Sequence, residues 1–379
     1  MRLACCLFKY FPYGGLQRDF LAIAKACQER GHEIFVFVMK WEGEVPPGLV
    51  VYELNPKGLS NHQRCLNYTK QLEHKLKEGK YDCVIGFNKM PGLDFYYSAD
   101  GCFQEKIRNE KNVLYRLLSP RYRVYARLER TVFDKKSKCK IFLLSEREKN
   151  NFSRYYSTPS DRFQLLPPGI EESRVATPDA NLISNELRGE FSVASDDYLV
   201  LMVASAFKTK GLDRSLEAIA ALPKNKSEKI HFFVIGEGET EKYQSLAKKL
   251  KIAHRVFFLG PREDLARFYM AADLLLHPAR NEQAGKVLLE ALACGLPVIT
   301  TDVCGYAFHV ERAGAGVVMV SPYRQAEFNQ QLLSALESMS RREKWKKNAL
   351  EYVSGVDLYG LVLNVVDKIE RDSHVDFAG

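Results

Sequence analysis

The chain has 379 residues, 46% of them hydrophobic and 27% charged, with a formal net charge of +8. That balance fits an ordinary globular protein long enough for two domains. Nine scattered cysteines with no CxxC pair, and eight histidines with no HExxH, argue against a zinc site or a disulfide frame and for reduced thiols.

The first apolar run, residues 2–8, is too short for a signal peptide and is followed by Lys9, so it is expected to be a strand. No stretch approaches the ~18 apolar residues of a membrane span. Further strands are expected at 33–39, 50–54, 83–87 and 140–145. Residues 15–31 carry Leu16, Phe20, Ile23, Ala24 and Cys27 at helical spacing and end at Gly31; residues 60–79 read as a second helix. Strands alternating with helices imply a parallel, doubly wound sheet. Residues 163–184 then run from a strand through Pro167, Pro168 and Gly169 into a polar stretch, the expected linker.

After it the pattern restarts. Strands are expected at 198–205, 230–238, 256–261, 274–279, 296–301 and 316–320, with helices at 212–223, 241–251, 265–272 and 285–295. Residues 348–369 read as a final helix that crosses back onto the first domain. The expected plan is α/β: one Rossmann-like domain over 1–167, a second over 168–350, and a C-terminal helical segment over 351–379. A ligand is expected in a central cleft faced by the two domains.

The sharpest chemistry lies in the second domain. Lys208 and Lys210 sit in a loop between a strand and a helix, where cations, amides and the helix dipole suit an anion. Downstream, Glu282 lies in a loop, Ala284, Gly285, Lys286 and Val287 open a helix, and Glu290 follows within it. Gly285 lets the backbone approach a diphosphate, whereas a carboxylate would repel it. Both glutamates therefore suit hydroxyls on either side of a diphosphate, as in a nucleotide sugar: Glu290 for the ribose, Glu282 for the sugar. Alone, the same residues also read as a solvated basic loop and two ordinary helix glutamates.

Glu282 and Glu290 in an E-x7-E spacing, with an upstream Lys-Gly at Lys210 and Gly211, resemble the retaining glycosyltransferases of the GT-B fold, family four. That resemblance assigns Glu282 to the donor hexose, Glu290 to the ribose and Lys210 to the diphosphate. Many members carry an arginine where this chain has Ser205; Lys208 is expected to supply the missing charge. Longer phrases at 9–20, 41–43, 86–103, 165–170 and 301–309 resemble, over essentially the whole chain, the lipopolysaccharide core glucosyltransferases that add glucose to the inner-core heptose. This implies UDP-glucose as donor, retention at the anomeric carbon, front-face attack, and a lipid-anchored heptose acceptor. No cofactor is expected and no metal, because Lys208, Lys210 and the amides near Gly285 can meet the charge on the leaving diphosphate. Closure of the domains over the donor is expected.

In the first domain Gly14 and Gly15 form a glycine loop at a helix start, and Asp19 and Asp100 are the candidate catalytic carboxylates. Each also has a plain reading, as a helix-start charge and a turn residue. His309 follows a glycine turn, where a ligand contact and a core histidine are both open. Residues 103–138 hold eleven Lys/Arg against four Asp/Glu. There Arg116, Arg121, Tyr122, Arg123, Tyr125 and Arg127 suit an anionic membrane interface. No nucleic-acid module surrounds them. The resemblance places the chain peripherally on the cytoplasmic face of the inner membrane of a Gram-negative bacterium.

Two other classes remain to be weighed. An NAD-dependent oxidoreductase needs GxGxxG after the first strand, which residues 9–19 lack. A non-catalytic membrane- or glycan-binding protein on the same scaffold would have no need of Glu282, Glu290 and Lys210. Within the enzyme class, UDP-galactose and UDP-N-acetylglucosamine remain alternative donors, and oligomeric state is not legible.

Overall fold

Strands buried on both faces must be apolar along their whole length, and the short apolar runs of this chain meet that condition. The computed structural model describes residues 1–12 and 14–375. It divides into two compact units: Met1–Pro167 with the C-terminal residues from Gly360, and Pro168–Tyr359. Residues 376–379, the end of the predicted C-terminal segment, lie outside the described residues.

The first unit is built on a seven-stranded parallel sheet. Its strands run edge to edge as Leu49–Glu53, Glu33–Val38, Arg2–Cys6, Cys83–Gly86, Phe95–Ser98, Lys140–Leu143 and Phe163–Leu165. The second unit has a six-stranded parallel sheet ordered Val256–Gly260, Ile230–Ile235, Tyr198–Val203, Leu274–His277, Val298–Thr301 and Gly316–Met319. In both, the chain order reverses beside the first strand. Loops leaving the two strands at such a reversal diverge to opposite faces and open a crevice at the carboxyl ends. All nine cysteines are free and buried, acting as small apolar residues of the two cores.

The structure adds elements that carry too little periodicity to predict. Phe95–Ser98 is a strand, and Lys9–Tyr10 pairs with Lys40–Trp41, where Tyr10 stacks on Trp41 at 3.8 Å. The polar stretch after the linker contains helix Ala180–Glu190, tied down by Arg188 to Asp273 at 3.1 Å. The single helix predicted at 348–369 is instead two, Met339–Ser354 and Leu361–Val375. The turn between them carries Gly355 and Gly360, poor helix residues. The second unit therefore extends to Tyr359, past the predicted junction at 350. The last helix belongs to the first unit, where Arg30 meets Asp367 and Glu370 at 2.7 Å and His32 meets Glu370 at 2.8 Å.

One buried carboxylate organises the helices of the first unit. Glu129 is fully buried in helix Pro120–Phe133. It accepts hydrogen bonds from the backbone amides of Phe103 at 2.7 Å and Gln104 at 3.1 Å, and from the Tyr156 hydroxyl at 2.6 Å. It also pairs with Lys89. Burial opposes the Lys89 charge, but Glu129 and Asp100 more than offset it and raise its pKa. The carboxylate thus caps helix Phe103–Glu110 from another helix, since Cys102 offers no side-chain cap. Removing one partner of such a pair strands a buried charge, so Glu129→Ala should cost about 3–5 kcal/mol in urea unfolding. A change below about 1 kcal/mol would contradict this role.

Candidate active site

The reversal in the second sheet brings two loops together. One leaves Tyr198–Val203 and runs through the short helix Phe207–Lys210; the other leaves Leu274–His277 and leads to helix Lys286–Ala293. They are fastened at several points. Arg280 donates its amide to the Thr209 carbonyl at 2.7 Å, and its guanidinium grips both oxygens of Asp213 at 2.7 Å. Arg214 donates to the carbonyl of Pro278 at 3.0 Å. Gly211 has φ +79°, and a Cβ there would lie 2.1 Å from the Pro278 oxygen. Only glycine permits that approach.

Within this frame Lys210 is ion-paired with Glu282. His277, 1% exposed, places Nε2 3.5 Å from the same carboxylate, in ion-pair range but beyond a good hydrogen bond. Burial pushes against the charge on Glu282, yet His277 and Lys210 hold its carboxyl down at about 2. Burial likewise opposes the charged imidazole, and Cys304 with Glu282 raises it to about 9. The backbone behind the loop is fixed by Gly305 N donating to Glu282 O at 3.1 Å and Tyr306 N to Ala284 O at 2.7 Å.

Gly285 has φ +88° and serves as N-cap of helix Lys286–Ala293 with no side-chain cap. The turn Ala284, Gly285, Lys286 and Val287 thus starts a helix beside Glu282, as expected. Glu290 is 8% exposed and accepts a 2.8 Å hydrogen bond from the Tyr269 hydroxyl. Lys208 is exposed two residues before Lys210, and Ser205 is exposed as well. Sequence reasoning placed Glu282 and Lys210 on different parts of a ligand; the structure brings them onto each other. It also adds His277, five residues before Glu282, and Arg280, whose partner Asp213 is too distant along the chain to foresee. His309 is a core residue: it is buried, its Nδ1 lies 2.6 Å from the Tyr352 hydroxyl, and burial lowers its pKa to about 4.

In the first unit Gly14 caps helix Gly15–Glu29 without a side-chain bond. A Cβ on Gly14 would strike the Gln17 side chain at 1.9 Å. Asp19 is buried and accepts a 2.8 Å hydrogen bond from the Tyr97 hydroxyl, so it is tied into the core. Asp100 is exposed on a bend, its carbonyl accepting from Ser98 Oγ at 3.4 Å.

The basic segment folds into helices Phe103–Glu110, Val113–Leu118 and Pro120–Phe133. Arg121, Arg123 and Arg127 are exposed, and Arg116 is half-buried. Tyr122 and Tyr125 are not surface aromatics as expected but half-buried. Tyr122 donates to Gln104 Oε1 at 2.9 Å, and both rings pack against Phe103. The surface carries instead an apolar face that sequence reading missed. Val113, Leu114, Leu117 and Leu118 are 60%, 61%, 68% and 65% exposed on one side of a single helix. Among the described residues no helix is long and apolar enough to cross a membrane, and no group of three His, Cys, Asp or Glu side chains is placed to hold a metal ion.

The electrostatics have a sign that can be measured. The His277 pKa is raised on folding, so its contribution to stability is complete below about 6.5 and is lost as pH rises through about 9. Glu282 is shifted the other way: its contribution is present above the ordinary carboxylate range and lost as pH falls through about 2. Thermal melts should therefore show His277→Asn less stable than wild type at pH 6, with the gap closing toward pH 9.5. A gap that stays constant over that range would contradict a charged His277.

Comparison with known proteins identifies the family. The family profile "Glycosyl transferases group 1" matches residues 184–352, and "Glycosyltransferase Family 4" matches residues 13–174. The lipopolysaccharide glucosyltransferase WaaG of Escherichia coli K12 is 42% identical over 97% of this chain and 98% of its own length. The uncharacterized glycosyltransferase MJ1607 of Methanocaldococcus jannaschii is 25% identical over 80% of this chain and 81% of its own. The crystal structure of WaaG superposes with a TM-score of 0.91, covering 97% of this chain and 99% of that one. Anabaena Alr3699/HepE, solved with UDP and glucose, shares the fold at 18% identity, with a TM-score of 0.74 over 98% and 100% of the two chains. This chain belongs to the glycosyltransferases of the GT-B fold, in the family-four group that includes the lipopolysaccharide glucosyltransferase WaaG.

Proposed function

We propose that the chain transfers glucose from UDP-glucose to a heptose of the lipopolysaccharide inner core, with retention at the anomeric carbon and without a metal. The observation that carries this reading is the ionised Glu282, held between Lys210 and His277 beside the glycine-capped helix start. A carboxylate kept charged in a buried place accepts hydrogen bonds from sugar hydroxyls strongly. Lys208, Lys210 and the first amides of helix Lys286–Ala293 supply positive potential where the diphosphate leaves. On binding, Lys210 exchanges the Glu282 carboxylate for a phosphate oxygen, and a glucose hydroxyl takes its place on Glu282. The bond between the anomeric carbon and the diphosphate oxygen breaks, the bond to the heptose oxygen forms on the same face, and the heptose hydroxyl proton passes to the departing UDP. Glu290, with Tyr269 behind it, binds the ribose.

With EDTA replacing divalent cations, wild-type protein should turn over, and Glu282→Gln should lose about 10²-fold or more in kcat while keeping its fold. Wild-type rates in Glu282→Gln, or no turnover without a divalent cation, would overturn the assignment.

The acceptor is lipid-anchored on this reading, and we assign the exposed apolar face of Val113–Leu118, flanked by exposed arginines, to an anionic membrane surface. Apolar insertion and basic attraction of ~1 kcal/mol per residue act together there. The protein should sediment with vesicles containing anionic lipid and release at high salt. Replacing Leu114 and Leu117 by Ser should weaken binding at least tenfold; unchanged sedimentation would assign the face elsewhere.

A further inference from the structure

The first sheet also reverses its chain order, and a hollow opens at that point. Phe8 and Lys9 follow strand Arg2–Cys6, Asn88 follows the neighbouring strand Cys83–Gly86, and all three line a cavity of about 220 Å³. Helix Asn61–Gly79 presents its first residue, Asn61, and Arg64 one turn later. A second hollow, of about 430 Å³, adjoins the first through Met39 and Arg64 and continues past Lys57 to Leu59, which is fully exposed.

The polar lining has one sign. None of the residues lining either hollow is acidic. Among the described residues Lys9, Lys57 and Arg64 make no ion pair within 4.0 Å; Glu42 is paired with Lys40, and Lys9 adds to the pull that holds its carboxyl down. Asn88 accepts from the Phe8 amide through Oδ1 at 2.8 Å, which leaves its side-chain nitrogen as a donor. The start of a nineteen-residue helix adds its dipole at Asn61. Cations outside any close ion pair, amide donors and a helix start converge on a concave surface with no acidic lining at a chain reversal. That combination suits oxygens carrying negative charge.

Resting on the transferase reading above, we propose that this groove binds the acceptor through an anionic group, a carboxylate or phosphate carried by the saccharide next to the accepting sugar. Lys9 and Arg64 are the recognition residues, and Lys57 extends contact along the chain of sugars. Arg64 suits a planar, two-pronged contact with such a group.

The test uses the full chain, UDP-glucose and a deacylated heptose-terminated core oligosaccharide. Three forms are compared: intact, stripped of phosphate, and with its carboxyls reduced to alcohols. Arg64→Gln and Lys9→Gln should each raise the KM for the intact oligosaccharide about tenfold, with the KM for UDP-glucose unmoved. The treated form that costs wild type the same factor identifies the group, and Arg64→Gln should no longer distinguish that form from the intact one. An unchanged acceptor KM in both variants, or a rise in donor KM instead, overturns the proposal while leaving the transferase reading intact. If wild type transfers to none of the three, the transferase reading fails. Calorimetric titration of the intact oligosaccharide then decides the groove alone. Binding lost in Arg64→Gln supports it, and equal binding or none by wild type overturns it.

Discussion

The second unit depends on a salt bridge thrown across a chain reversal. Lys210 and Glu282 come from loops that leave adjacent strands, and each neutralises the other in a place where an isolated charge is costly. The pair closes only because the loops approach closely, and they do so because Gly211 has no side chain and Arg280 and Arg214 stitch the backbones together. His277 adds a second positive partner beneath Glu282. The result is a carboxylate and a lysine already desolvated, oriented and charged before any ligand arrives. In the proposed reaction that would be useful preorganisation, since a ligand that replaces both partners at once meets groups that need little rearrangement.

The two units solve the same topological problem with different chemistry. Each places a crevice at the carboxyl ends of the strands where the order reverses. The second fills its crevice with opposite charges. The first keeps its carboxylates Asp19 and Glu129 inside, on Tyr97 and on Lys89 respectively, and leaves its crevice edge to Lys9, Arg64 and amide groups. Glu129 also holds helix Phe103–Glu110, and through it the segment leading to the exposed leucines, onto the core. A surface that is apolar and basic at once thereby follows directly on a helix anchored to the core.

How much of this was legible follows from how local each signal is. Alternating strands and helices showed the doubly wound plan, because a parallel sheet writes continuous apolar runs into the chain. The Glu282, Gly285 and Glu290 spacing was legible for the same reason: the three lie within nine residues. The Lys210–Glu282 pair was not, since its members are 72 positions apart and each alone looks like a ligand contact. Glu129 sits in a basic run and reads as a solvated charge until its buried donors are seen. Tyr122 and Tyr125 were assigned to the surface because arginines surround them in sequence, yet the helix turns those rings inward. Val113, Leu114, Leu117 and Leu118 show core-like spacing, and only the fold reveals that they are exposed. Asp19 had the opposite fate, since a helix-start carboxylate is usually solvated and here Tyr97 buries it.

The most direct measurement is UDP release by the purified chain with UDP-glucose, with and without a heptose-terminated lipopolysaccharide core. Release that depends on the acceptor, accompanied by glucose on the core in the α configuration, is the expected result. No release with UDP-glucose or with a panel of other nucleotide sugars, in protein that is folded and binds the core, would contradict the account and leave a binding protein on a transferase scaffold.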